Sequence, residues 1–127
     1  MAPAADPGAL LARSYTLPRG PRVRLRLARR RDLAQIEALL RREDRAPEAL
    51  QVARLLRADP RHQLAITAAA LVGTAETVVG FGAIDLDRPE AGPRMLVSDH
   101  ALTDGLEALL ADALVGRAEA LRRARAA

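Results

Sequence analysis

Asp85 and Asp87 stand two residues apart at the end of an apolar run, the spacing that puts both carboxylates on one face of an extended strand. Such a pair can act as a general base through water, or contribute to a cation site. A base also needs an acceptor group and a donor within reach. A cation needs a third ligand, and no histidine or carboxylate follows at ligand spacing, so no metal is expected. The plain alternative is a solvated strand end. His62 and His100 are the two histidines, and neither has a nucleophile or ligand partner at a recognisable interval. His100 precedes the last apolar helix, in the kind of loop where site residues gather. Ser98 and Thr103 have no G-x-S-x-G setting to make either a nucleophile. Cysteine is absent, which excludes thiolate catalysis, disulfides and cysteine metal sites. All 20 basic residues are arginine, so a Schiff-base lysine is excluded as well.

The arginines are densest at Arg19, Arg22, Arg24, Arg26, Arg29, Arg30 and Arg31. Such a stretch can meet phosphate. Single-stranded nucleic acid also needs stacking rings, and Tyr15 and Phe81 are the two aromatics. The net charge is a modest +4. A solvated strand face is the simpler reading of the run, and a nucleic-acid partner is not expected.

The elements that must position these residues follow from the hydrophobic pattern. Arg22 to Ala28 alternates, with Val23, Leu25 and Leu27 opposed to three arginines, as a half-buried strand does. Asp32 then opens a helix whose apolar stripe is Leu33, Ile36, Leu39 and Leu40. A second helix begins near Pro47 and stops at Asp59-Pro60. Gln63 to Val72 and Thr77 to Leu86 are apolar strands joined by a turn, expected as a hairpin in the middle of a sheet. Gly80 and Gly82 inside the second strand predict a bulge or a close backbone approach. A Pro/Gly loop, a short strand at Arg94 to Ser98, and a long helix from Leu106 to about Arg123 complete the order. That helix carries a stripe of Leu106, Leu109, Leu110, Ala113, Leu114 and Leu121.

The expectation is one α/β (α+β) domain over residues 21–127, behind a disordered leader at 1–20. Its sheet is mixed but mainly antiparallel, with about four strands and three helices, in the order β-α-α-β-β-β-α. No run approaches the 18 apolar residues of a membrane span. The lack of cysteine and of a basic, apolar signal points to the cytoplasm.

The ordered set "VRLRLARRRDLAQIEALLR", "AETVVGFGAIDL" and "MLVSD" resembles the GCN5-related N-acetyltransferases, the GNAT superfamily, over about residues 22–120. The resemblance implies that acetyl-CoA would be held by the loop before the last helix. In that family the loop reads R/Q-x-x-G-x-G/A, and its backbone N–H groups at the helix end bind the pyrophosphate. The corresponding positions here are Leu102, Thr103, Asp104, Gly105, Leu106 and Glu107. The stretch "SDHALTDGLEALL" has a single glycine and no Arg or Gln at its head. Asp104 and Glu107 have capping-box spacing, so carboxylates would take the helix-end donors and repel a diphosphate. The resemblance also implies that Asp85 or Asp87 would be the base, and that a second half of the fold, including a splayed fifth strand, is missing. Two functions stay open. One is an acetyl-CoA-dependent N-acetyltransferase of weak or lost activity. The other is a non-catalytic interaction or dimerisation module, in which a homodimer or another protein completes the sheet edge at "RMLVS".

Overall fold

A computed structural model describes residues 14–18, 20, 22–98 and 105–126. The chain is α+β. In order it forms β1 (Ser14–Thr16), β2 (Arg22–Leu27), α1 (Leu33–Arg42), α2 (Ala49–Arg57), β3 (Gln63–Val72), β4 (Ala75–Asp85), β5 (Arg94–Val97) and α3 (Leu106–Ala126). Short 3-10 turns at Arg30–Asp32 and Ala46–Glu48 lead into α1 and α2. The strands form one sheet in the order β1-β2-β3-β4-β5, with every neighbouring pair antiparallel.

Two expectations need correction. Among the described residues the sheet has five strands rather than about four, and every neighbouring pair is antiparallel rather than mixed. The added strand, Ser14–Thr16, falls in the segment expected to be a disordered leader; it pairs with Arg22–Arg24. Three residues are too few to show an alternating pattern. This strand is held by backbone pairing and by Leu17, whose side chain is buried in the core. Residues 1–13 lie outside the described residues.

The remaining order agrees with the pattern. In α1, Ile36, Leu39 and Leu40 face inward at helical spacing. The helix closes with Arg45 N–H donating to Leu40 O at 2.7 Å and Asp44 N–H to Arg41 O at 3.2 Å. These are the two bonds of a Schellman end, with Asp44 at φ +56° in the position glycine usually fills. The β3–β4 hairpin turns at Gly73, whose φ of +61° suits glycine, with Val72 and Ala75 in register across the turn.

The sheet is covered on both faces. Against one lie α1 and α2, closing over Val78, Phe81, Ala83 and Leu96. Against the other lies α3, whose Leu106, Leu110 and Leu114 pack on Val23, Leu25, Ile66 and Ile84. Gly80 and Gly82 both serve this second face. The pairing slips opposite Ala68/Ala69, where the bulge adds Val79 to β4. A Cβ on Gly80 would meet Leu110 Cδ1 at 3.0 Å, and one on Gly82 would meet Leu114 Cδ1 at 2.7 Å. The two glycines let α3 sit closer to β4 than a side chain would allow.

Leu114 is fully buried and has little freedom to turn aside. Gly82→Ala is therefore expected to destabilise the protein by about 1–3 kcal/mol through overpacking. The measurement is the urea midpoint, and an unchanged midpoint would mean that the helix face can yield.

Candidate functional site

Asp85 is the last residue of β4 and lies in register with Gln63 of β3. The strand ends there, so Asp87 sits in the bend beyond it and the two carboxylates do not share a strand face. Asp85 Oδ1 instead accepts the Asp87 N–H at 2.8 Å, an Asx turn. Asp87 Oδ2 pairs with His62 Nδ1 at 2.9 Å, with both side chains more than half exposed. His62 thus has a partner 25 residues away in the chain, which local spacing does not reveal.

The proposed cofactor loop is only partly described. Asp99, His100, Leu102, Thr103 and Asp104 lie outside the described residues. The other three positions, Gly105, Leu106 and Glu107, are described. Leu106 is fully buried beneath Gly80, where it serves the core. Glu107 is exposed in the first turn of α3 and adds negative charge there. Gly105 has a φ of +86°, and its missing Cβ would meet Pro18 Cδ at 3.5 Å. The segment after β1 therefore packs against the turn that an anion would have to approach.

Nor does the fold bring the two candidate groups together. Helix α3 runs in the same direction as β4, with Leu106 and Leu110 over Gly80 and Leu114 over Gly82. Asp85 lies five residues beyond Gly80, roughly 17 Å along an extended strand. The helix opening and the carboxylates occupy opposite ends of the sheet. Among the described residues no group of three His, Cys, Asp or Glu side chains could hold a metal ion. No described helix is long and apolar enough to cross a membrane.

The arginine stretch divides in two. Arg22, Arg29, Arg30 and Arg31 are exposed, and Arg24 faces Glu76 at 3.6 Å. Arg26, expected on a solvated face, is instead held under the start of α1. Its two guanidinium nitrogens donate to the carboxylate of Asp32 at 2.7 and 2.8 Å. Asp32 is 2% exposed and also accepts from Arg29 N–H and from Thr67 Oγ1. Phe81 is buried and Tyr15 packs on the core, so neither presents a free ring for base stacking.

Surface recesses among the described residues include a small one between α2 and β5, lined by Val52, Leu55, Phe81 and Arg94. A shallow groove between α1 and β4 passes over Gln35, whose Oε1 accepts the Val78 N–H at 2.9 Å beside the bulge. A deeper cleft of about 320 Å³ lies at the Asp85 end of the sheet, between the end of α2 and the β4–β5 loop.

The Asp32 cluster sets a pH dependence. Burial opposes ionisation, yet the bonds from Arg26, Arg29 and Thr67 outweigh it and hold the carboxyl below its ordinary 3.8. A depressed folded value means that the unfolded chain takes up the proton first. The stabilisation is complete above the ordinary value and is lost as pH falls through the folded one. Asp32→Ala is expected to destabilise by about 3 kcal/mol near neutral pH, because Arg26 is left largely buried with only the longer pair to Glu76, at 3.6 Å, to balance it. It should also flatten the acid limb of the stability profile, measured by denaturant unfolding between neutral and acid pH.

Compared with known proteins, the chain matches no family model, no curated protein and no solved structure.

Proposed function

We propose that this chain is a GNAT-like domain that has given up acetyl-CoA-dependent acetyl transfer and serves as a dimerisation module through the outer edge of β5. The resemblance in sequence, together with a strand-helix-helix-strand-strand-strand-helix order within the fold, supports the first part. The loss of transfer is supported by the buried Leu106, the acidic Glu107 and the separation of Asp85 from the opening of α3.

The observation that carries the dimerisation reading is the state of the β5 edge. Among the described residues β5 pairs with β4 alone. Ser98 N–H turns inward to Val79 O at 2.9 Å, so by alternation the backbone groups of Met95 and Val97 face outward. Arg45 donates to Met95 O at 3.1 Å while its guanidinium is held by Glu48. That contact blunts the edge at one end and leaves the amide and carbonyl of Val97 at the other. An edge of this kind accepts another strand by backbone pairing, with alternate side chains setting the register. A second copy offers the same edge under two-fold symmetry, residue for residue.

The expected result is a concentration-dependent dimer by light scattering, weakened by Val97→Pro, which removes an outward amide donor. A species that stays monomeric to about 1 mM, a limit near −4 kcal/mol of association, counts against the reading. Calorimetric titration with acetyl-CoA tests the other half. A dissociation constant tighter than about 100 μM, roughly −5.5 kcal/mol, would restore the acetyltransferase.

A further inference from the structure

The cleft at the Asp85 end of the sheet carries charges of both signs. Arg88 lines it from the β4–β5 loop and Arg94 from the start of β5, and Asp85 and Gln63 line it from the ends of β4 and β3. Arg26, Arg45 and Arg61 all have carboxylate partners. Among the described residues, the guanidinium groups of Arg88 and Arg94 have neither an ion pair nor a hydrogen bond. Asp85 has one oxygen bonded to Asp87 N–H and its other oxygen without a partner among those residues.

The loop between the two arginines is stiff. Pro89 and Pro93 restrict φ at two positions. Ala91 N–H donates to Arg88 O at 3.1 Å and Gly92 N–H to Pro89 O at 3.0 Å, closing a 3-10 turn. Gly92, at φ +82°, then returns the chain to β5. A stiff loop reduces the ordering that a ligand must impose. Leu55, Ala91 and Pro93 supply an apolar wall, and about 320 Å³ accommodates a molecule of amino-acid size.

A simple anion would be drawn to the arginines but repelled by Asp85, and a simple cation the reverse. A molecule with both charges satisfies all three groups. We propose that the cleft binds a free aliphatic α-amino acid, its carboxylate at Arg88 and Arg94, its ammonium at Asp85 and its side chain against Leu55 and Pro93. This site lies on the far end of the sheet from the α3 opening and does not depend on dimerisation.

The test is titration of the full chain, followed through its amide resonances, with three probes. These are leucine, leucine amide, which lacks the carboxylate, and 4-methylpentanoate, which lacks the amine. Leucine should give saturable shifts centred on Gly92 and Arg94, and each analogue should bind at least about tenfold more weakly. Arg88→Ala with Arg94→Ala should abolish the leucine response, while Arg57→Ala, on α2 outside the cleft, leaves it intact. The spectra report folding of each variant directly. No saturable response to leucine would overturn the site. Equal binding of 4-methylpentanoate and leucine would overturn the role of Asp85, and an undiminished response in the double variant would overturn that of the arginines.

Discussion

The architecture depends on how closely α3 can lie against β4. Gly80 and Gly82 present bare backbone to the helix, and Leu106, Leu110 and Leu114 fill the space their side chains would have taken. Dispersion and burial both fall off within fractions of an ångström, so this contact is strong only because nothing intervenes. It fixes the helix direction along β4. It also places the side chain of Leu106, at the opening of α3, in the core.

The opposite face is organised by a polar contact. The two-bond pairing of Arg26 with Asp32, joined by Thr67 and the Arg29 amide, ties β2, β3 and the entry to α1 at one point. A buried ion pair is seldom a large net gain over apolar packing, since desolvation offsets most of the attraction. Its effect is on specificity: the carboxylate is satisfied in one arrangement only, and that arrangement sets where α1 begins. The exposed pairs Asp59–Arg61 and His62–Asp87, by contrast, are screened by water and hold only local turns.

These constraints bear on function together. Packing draws the start of α3 and the segment through Pro18 into contact, which crowds the turn where a phosphate would bind. The cleft at the other end of the sheet is lined by Arg88 and Arg94, whose guanidinium groups have no ion pair among the described residues, and by Asp85, which accepts the Asp87 amide through one oxygen.

The alternation of Arg22–Leu27, the 3.6-residue stripes of α1 and α3, and the glycines of β4 are local signals, and each was legible in the residues themselves. So was the antiparallel β3–β4 hairpin, because its two apolar runs flank a glycine turn. The strand Ser14–Thr16 was not, since three residues carry no period and their pairing is supplied by β2. Arg26 looked like a solvated side chain because its partner Asp32 belongs to the next element, and only the turn between them brings the groups to bonding distance. The same holds for His62 and Asp87, and for the cleft at Arg88 and Arg94. Periodicity along the chain determines which face of an element is apolar. Which polar groups meet across elements is decided by packing, because charges separated in sequence acquire partners only when the core has placed them.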